Sequence, residues 1–281
     1  MPNYTWPDPK KRRLLGHRIS RLDGPAKVTG QARYSYDINR PGMLFAKFLR
    51  CPHAHAKITH LDVSAAQKMN GVKAVRVIQD VGSEIQWSLD EIVVLAAASE
   101  EIARDAIQKI EIKYEILPHF VTEEDIENAP EIKSGEQEVT GDPDRAMEEA
   151  DVTVEGYYGI PSITHCCFES HGQVCEWDGE NLIAWCSTQN VSGMPGQFAD
   201  GLEIPASNVR IITQYMGGGF GSKFSVDRWG IECAKLALET KAPVKLMLDR
   251  DAELAVAGDR PAFYSRIQLG AKKDGGITAW K

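Results

Sequence analysis

The stretch QYMGGGFGSKFSVDRWG, residues 214–230, places four glycines, Gly217, Gly218, Gly219 and Gly221, around Phe220 between a predicted strand and a predicted helix. Glycine has no Cβ and adopts left-handed backbone conformations easily, so such a run lets the backbone approach a ligand closely. The N-terminus of the following helix presents unpaired N–H groups that favour an anion or an electronegative oxygen. Tight packing of the turn without any ligand is the alternative that the loop by itself leaves open.

The glycine loop lacks the spacing of the common nucleotide-binding loops. A Walker loop needs Gly-x-x-x-x-Gly-Lys followed by Ser or Thr, but the residue after Lys223 is Phe224. A dinucleotide fingerprint that starts at Gly217 needs a glycine at position 222, which is Ser222. Simple nucleotide binding is therefore disfavoured.

Length, charge and hydropathy limit the class of protein. The 281 residues suffice for two domains, and the net charge of −8 disfavours nucleic acid as a partner. The N-terminal arm, residues 1–22, has a basic run but no apolar segment of a secretory signal. The longest apolar run, residues 92–98, is too short to cross a bilayer. We therefore expect no membrane partner and a cytoplasmic protein, with periplasmic export as the alternative if a partner subunit carries the signal.

The six cysteines do not have the spacing of a metal site. They form no Cys-x-x-Cys pair and show no iron–sulfur cluster pattern, so structural zinc and clusters are not predicted in this chain. A chain of this size does not need disulfides to fold. Reduced, buried thiols are the expectation, and a metal or redox role for the clustered Cys166, Cys167 and Cys175 is the alternative.

Hydrophobic periodicity predicts a first α/β region over residues 23–120. The alternation in KVTGQARYSYDI, residues 27–38, predicts a strand. Residues 92–97 have the pattern of a buried strand, and Ser99 is placed to cap the helix that follows. Residues 110–116 then alternate with period two, which indicates a further strand.

A second region is predicted after an acidic, non-periodic linker, residues 121–141. Asp142 is placed to cap a helix that has Pro143 at its first position. The second region covers residues 142–281, and it includes a helix after the glycine loop. One side of that helix is formed by Val226, Trp229, Cys233 and Ala237.

Eight motifs together resemble the molybdenum-binding subunits of the xanthine dehydrogenase and aldehyde oxidase family. In the family's order they are LDGPAKVTGQARYSYDI, CPHAHAKI, GVKAV, IEIKYEILP, HCCFESHG, WCSTQN, GGGFGSK and LDRDAEL. The resemblance extends over nearly the whole chain from Gly16 and implies an α+β fold. It identifies residues 23–120 as an α/β hammerhead domain and residues 142–281 as the first, incomplete part of a molybdopterin-binding domain.

The resemblance also implies the residues of a cofactor site. Gln189 matches the glutamine that directs its amide at the apical oxo ligand of molybdenum, and bonding to its own backbone is the alternative. Gly218, Gly219, Phe220 and Gly221 match residues whose backbone and ring lie against that centre. The family's base is a glutamate far downstream, so no catalytic residue and no direct metal ligand is expected in this chain.

Phe224 is the predicted substrate-pocket residue. It stands where purine-oxidising members of the family carry a glutamate, which favours an aldehyde or a neutral aromatic heterocycle as substrate. Packing of the ring under the glycine loop is the alternative.

Several histidines and one glutamate have the residue types of a metal or acid–base site. His165 and Glu169 are four residues apart, but Gly156 to Pro161 favour a strand and loop, so helical metal-ligand spacing does not apply. We interpret His165, Glu169 and His171 as structural, and His53 and His55 likewise.

The resemblance implies part of a molybdenum hydroxylase that oxidises an aldehyde or N-heterocycle with water as oxygen donor. The expected cofactor is molybdopterin in its cytosine dinucleotide form, with electrons leaving through 2Fe-2S clusters and FAD on partner subunits. Without the downstream base, we expect the chain alone to be inactive and to be either completed by a second chain or truncated. The alternative is a non-catalytic binding or assembly module with a hammerhead fold.

Overall fold

The computed structural model describes residues 5–122, 128–130, 132–133 and 135–281. Its helices are α1 Gly24–Val28, α2 Ser64–Gln67, α3 Glu100–Ile107, α4 Pro143–Glu148, α5 Met194–Leu202, α6 Asp227–Thr240 and α7 Arg250–Ala255. The strands of the first region are β1 Leu44–Arg50, β2 Ala56–Asp62, β3 Val72–Val77, β4 Glu84–Ile85, β5 Glu91–Ala97 and β6 Glu111–Ile116. Those of the second region are β7 Val152–Ile160, β8 Ile163–Thr164, β9 Gly172–Asp178, β10 Asn181–Cys186, β11 Val209–Ile212, β12 Val244–Met247, β13 Asp259–Arg260, β14 Phe263–Ala271 and β15 Ile277–Trp280. Residues 123–127, 131 and 134 of the expected linker lie outside the described residues.

One seven-stranded sheet draws its strands from both predicted regions. Its order is β11-β10-β9-β12-β1-β5-β3, and β1 pairs in parallel with β12 at Leu44 and Val244. Every residue of β5 is buried, as expected for a strand covered on both faces. Strands from both sides of residues 121–141 therefore share one core, and the predicted domain boundaries stay a prediction.

Helix α6 covers the centre of this sheet and follows directly from the glycine loop. Its apolar side is buried in the larger core, where Leu236 and Cys233 are fully inaccessible. Ion pairs hold the helix against the first region: Arg228 lies 2.6 Å from Asp90, and Arg76 lies 2.8 Å from Glu232. The position of the loop is thus fixed by packing and charge at the start of α6.

A second core forms on the other side of β5. It packs α2 and α3 against β5 and the three-stranded sheet β4-β2-β6. The cap signals are confirmed, since Ser99 Oγ accepts a hydrogen bond from Ile102 N at 3.3 Å. Asp142 Oδ1 likewise accepts one from Arg145 N at 3.1 Å and caps α4.

The strand predicted for residues 27–38 is wrong. Helix α1 covers the start of that stretch because Pro25, with its fixed φ, lies in the first turn of the helix. The helix is closed where Ala32 N donates to Ala26 O at 2.9 Å and Gly30 takes a φ of +70°. A 3₁₀ turn at Ser35–Asp37 follows, so the alternating pattern reflects two short turns rather than a strand.

The remaining sheets lie in the second region, and they are the three-stranded β15-β14-β7 and the two-stranded ribbon β13-β8. All six cysteines are unpaired, and Cys166 alone among them is exposed. Across the described ranges, no helix is both long and apolar enough to cross a bilayer.

Two leucines of α6 provide a test of the packing. Leu236 is fully buried between α6 and the sheet, so Leu236→Ala should lower the free energy of unfolding by about 2–5 kcal/mol through the cavity it leaves. The same change at Leu238, which is 52% exposed on the same helix, should shift it by at most about 0.5 kcal/mol. Chemical denaturation followed by tryptophan fluorescence measures both, and equal losses would contradict the placement of α6.

Candidate functional site

The glycine loop lies between the end of β11 and the start of α6 and forms a tight turn with left-handed backbone. The φ angles are +101° at Gly218, +52° at Phe220 and +107° at Gly221. Ser222 closes the turn, because its N and Oγ both donate to Gly219 O, at 2.9 and 2.7 Å. A phenylalanine in this conformation costs about 1–2 kcal/mol, so the surrounding contacts must hold it there.

Gln189, at the end of β10, packs directly on the loop. Its Oε1 accepts hydrogen bonds from Gly221 N at 3.0 Å and Lys223 N at 3.4 Å, and its own N donates to Lys223 O at 2.8 Å. A Cβ added to Gly219 would lie 2.3 Å from Gln189 Oε1, so a larger residue there would displace the Gln189 side chain. The two donors fix which end of the amide is oxygen, and Nε2 has no acceptor among the described residues.

Three successive backbone donors of the loop are free of protein acceptors. Within the described part of the chain, the N–H groups of Gly218, Gly219 and Phe220 donate to no protein atom. The Phe220 ring folds back towards Gly218, where an added Cβ would meet its Cε2 at 2.9 Å, and it is 73% exposed. The loop therefore offers a short row of fixed donors beside an exposed aromatic ring.

Glu169 anchors the start of the loop. Its Oε2 accepts from Gly217 N at 2.6 Å, and its Oε1 accepts from Ser35 N at 3.1 Å. A Cβ at Gly217 would lie 2.5 Å from the Glu169 Cβ, so this position requires glycine. The carboxylate is almost fully buried, and these contacts fit the structural interpretation of Glu169.

Lys223 holds the end of the loop through its buried side chain. It was not among the site residues predicted from the sequence. Its side chain is fully buried, and its Nζ donates to Ser187 Oγ at 2.6 Å and to Glu169 O at 2.7 Å. Burial lowers the pKa of this ammonium, opposed by the negative charge of Glu169. A lysine in a polar loop has the pattern of a surface cation, and only the tertiary packing buries it.

The remaining predicted polar residues bind protein atoms rather than each other. His171 Nδ1 lies 2.9 Å from Glu253 Oε1, and His165 Nδ1 lies 3.2 Å from Gly258 O. In the first region, His55 Nε2 lies 2.7 Å from Glu84, and His53 packs edge-on against Tyr114. Among the described residues, no three His, Cys, Asp or Glu side chains are grouped as metal ligands.

Phe224 lies just past the loop with its backbone fixed and its ring half exposed. Its carbonyl accepts from Asn190 Nδ2 and from Gln197 Nε2, both at 3.1 Å, while the ring is 49% exposed. The Phe224 ring is therefore not sealed under the loop.

The chain matches two family models. The molybdopterin cofactor-binding domain matches residues 123–281, more than half of the chain, and the a/b hammerhead domain of aldehyde oxidase and xanthine dehydrogenase matches residues 29–89. The chain therefore belongs to the molybdopterin cofactor-binding domain family of the aldehyde oxidase and xanthine dehydrogenase type. The predicted fold class, a hammerhead domain followed by a molybdopterin-binding domain, is confirmed.

Two relatives align over most of this chain. It is 31% identical to the aldehyde oxidoreductase molybdenum-binding subunit PaoC of Escherichia coli K12, over 95% of this chain and 39% of that protein. It is 32% identical to the nicotinate dehydrogenase large molybdopterin subunit of Eubacterium barkeri, over 96% of this chain and 69% of that protein. The chain thus spans about two fifths of PaoC.

A solved structure shares the fold at lower identity. Quinoline 2-oxidoreductase of Pseudomonas putida 86 superposes with a TM-score of 0.83 at 23% identity, over 93% of this chain and 38% of that one. At this identity the match supports the fold alone.

The buried ammonium of Lys223 predicts a pH-dependent stability. Its folded-state pKa lies below the ordinary value of 10.5, so the folded chain releases this proton first as the pH rises. The free-energy penalty for burying the charge is fully present at lower pH and decreases as the pH rises towards 10.5. The loss of unfolding free energy in Lys223→Met should therefore be larger at about pH 9.5 than at about pH 7.5.

Denaturant titrations of wild type and Lys223→Met at both pH values measure this difference. Leu238→Ala serves as the control, because it removes no titratable group and should follow the wild-type pH dependence. A Lys223→Met loss that shrinks as the pH rises would contradict a lowered pKa for this ammonium.

Proposed function

We propose that this chain is the N-terminal part of a molybdenum hydroxylase that oxidises an aldehyde or N-heterocycle with water as oxygen donor. One observation carries the proposal: the amide of Gln189 is held by its oxygen, and among the described residues neither its Nε2 nor the N–H groups of Gly218, Gly219 and Phe220 donate to a protein acceptor. An oxygen-rich, electronegative group is the chemical complement of such a row of donors.

The residues present fit a molybdopterin-bound molybdenum centre. When bound, that centre supplies a metal that takes up electrons from the substrate carbon. Gln189 would offer its Nε2 to a metal oxygen ligand without adding charge, and the loop N–H groups would offer donors that cannot titrate. Gly221 and Lys223 hold the Gln189 oxygen in place, and Phe220 would exclude water from this side of the centre.

Substrate choice is proposed from Phe224. Its apolar, half-exposed ring offers no hydrogen bond or charge to a purine and suits an aldehyde or a neutral aromatic ring. Two relatives support this range, since one is named an aldehyde oxidoreductase subunit and the other a nicotinate dehydrogenase subunit.

The assembly is part of the same proposal. We place an arm at residues 1–22, a hammerhead domain at 23–120, a linker at 121–141 and the first part of the molybdopterin-binding domain at 142–281. The remainder, including the base, lies on a second polypeptide or on a longer chain of which these residues are a part, so that residues 1–281 alone are inactive.

The cofactor and its electron path complete the proposal. Molybdopterin is taken in its cytosine dinucleotide form, and 2Fe-2S clusters and FAD lie on partner subunits, because this chain lacks cluster-type cysteine spacing. The location is cytoplasmic unless a partner carries an export signal.

Composition of the native assembly tests the function directly. Purification through this chain, followed by intact mass spectrometry and elemental analysis, should give molybdenum and iron. It should also give a region that resembles the part of PaoC beyond these residues, either on a second polypeptide or in continuation of this one. A lone, stable chain without molybdenum would contradict the proposal and favour a non-catalytic module.

Gly219 and Gln189 should act on turnover as one unit. Gln189→Ala removes the amide, and Gly219→Ala displaces it, so each should lower turnover of the assembly by about 10–100-fold. The double variant should be no slower than Gln189→Ala, because Gly219 acts through Gln189. Gly196→Ala, whose added Cβ meets no atom within 4 Å, is the matched control and should stay within about twofold of wild type. If the two losses of turnover add in the double variant, Gly219 and Gln189 act independently. That result would contradict the assignment of Gly219 to the positioning of Gln189.

A further inference from the structure

Hydrogen bonds hold the backbone on both sides of the Phe224 ring. Before the ring, Lys223 O accepts from Gln189 N at 2.8 Å and from Thr188 Oγ1 at 3.0 Å. At the ring and after it, Phe224 O accepts two hydrogen bonds, and Val226 N donates one at 2.8 Å. The backbone that carries the ring is therefore fixed by its neighbours in the fold.

A single side chain, that of Gln197, binds this segment at two places. Its Nε2 donates to Phe224 O at 3.1 Å, and its Oε1 accepts from Val226 N at 2.8 Å. The amide of Gln197 thus uses both its donor and its acceptor on one short stretch of backbone. These two bonds join helix α5 to the segment between the glycine loop and α6.

Asn190 provides the second donor to the Phe224 carbonyl. Its Nδ2 lies 3.1 Å from Phe224 O, and its Oδ1 accepts from Gly193 N at 3.1 Å. Because a carbonyl oxygen has two lone pairs, the amides of Asn190 and Gln197 together satisfy it. Asn190 directly follows Gln189, so a change there would also disturb the proposed cofactor site. Gln197 is the residue whose change acts on Phe224 without touching Gln189.

Helix α5 gives Gln197 a rigid base. The next residue, Phe198, is fully buried in the larger core, and Met194 at the start of the helix is 2% exposed. A Cβ at Gly201 would lie 2.4 Å from Ile231 Cδ1, so α5 lies close against α6. A side chain on a packed helix holds its partner more precisely than one on a loop does.

We propose that Gln197 is a specificity-determining positioning residue, which holds Phe224 in place and thereby sets the size of substrate that the site accepts. The inference rests on the proposed function, in which Phe224 faces the substrate. The Phe224 ring is 49% exposed, so its own packing holds it less than the bonds to its backbone do. Without the Gln197 bonds, the ring moves and discriminates less against bulky substrates.

Substrate selectivity of the native assembly tests the inference. The ratio of kcat/KM for acetaldehyde to that for benzaldehyde is measured on one preparation, or pyrimidine is compared with quinazoline if only heterocycles turn over. Both rates scale with the amount of active enzyme, so poor folding or low molybdenum content leaves the ratio unchanged. Gln197→Met removes the amide donor and acceptor, and it should lower the ratio of small to bulky substrate by about three- to tenfold.

Two further variants control this measurement. Phe224→Ala removes the ring and should lower the same ratio. Adding Gln197→Met to Phe224→Ala should change the ratio by less than about twofold, because Gln197 acts through Phe224. Leu236→Ala, in the second half of α6, destabilises the core and should leave the ratio within about twofold of wild type.

Hydrogen exchange provides a second measurement that needs no turnover. Val226 N donates to Gln197 Oε1, so Gln197→Met should raise the exchange rate of this amide by more than about tenfold in the native assembly. Gln197→Glu keeps an acceptor for Val226 and loses only the donor to Phe224 O. It should therefore leave this exchange rate within about threefold of wild type and still lower the substrate ratio. Mass spectrometry of a peptide that contains Val226 measures the rate.

The outcomes separate this inference from the proposed function. If Gln197→Met changes neither the ratio nor the exchange at Val226, or if it changes the ratio equally with and without the Phe224 ring, the inference is overturned and the function stands. If Phe224→Ala leaves the ratio unchanged, the proposed role of Phe224 is wrong, and the inference fails with it. A chain purified without molybdenum overturns the function itself.

Discussion

The buried ammonium of Lys223 is the contact on which the geometry of the glycine loop depends. It joins the end of β10, through Ser187, to the segment before β9, through the carbonyl of Glu169. Glu169 in turn holds Gly217 N and Ser35 N, so one charged pair organises four separate stretches of chain. Burying a charge is costly unless hydrogen bonds replace its water; here the ammonium donates two such bonds and the carboxylate accepts two.

Hydrogen-bonded, partly buried charges also hold the helix that follows the loop. Arg228 in the first turn of α6 pairs with Asp90, and Gln79 Nε2 donates to the other oxygen of that carboxylate at 2.9 Å. Burial raises the pKa of the neighbouring Glu91, against the lowering effect of Arg50 and Arg228. The start of α6 is therefore seated on β5 by a partly buried charge network, and strands from the first region position a loop that belongs to the second.

Local signals in the sequence predicted local structure well. Ser99 and Asp142 cap the helices that their positions indicated, because a cap depends on residues only three positions away. The strand predicted from the alternation over residues 27–38 was wrong. Proline and glycine near the start of this stretch favour a helix start and a turn, and the chain forms helix α1 and a 3₁₀ turn instead. The family was recognisable from eight motifs in order, although no single motif has that specificity.

Contacts between distant segments were beyond such reasoning. Nothing local marks Lys223 as buried or Glu169 as the acceptor for Gly217, since both depend on segments about 50 residues apart. The positions of Gln189 and Gly219 were named from the resemblance, but the 2.3 Å approach by which a Cβ at Gly219 would displace Gln189 follows only from the three-dimensional structure.

The parallel pairing of β1 with β12 has a consequence for how the chain acquires its structure. Leu44 finds its partner Val244 only about 200 residues later, so the central sheet has a high contact order and cannot close while the second region is still being synthesised. Until then one edge of β1 stays unpaired, next to the strand β5, in which every residue after Glu91 is apolar. The nascent chain therefore spends a long interval with an unpaired strand edge that favours aggregation. During this interval a chaperone that holds the chain would govern the yield of folded protein.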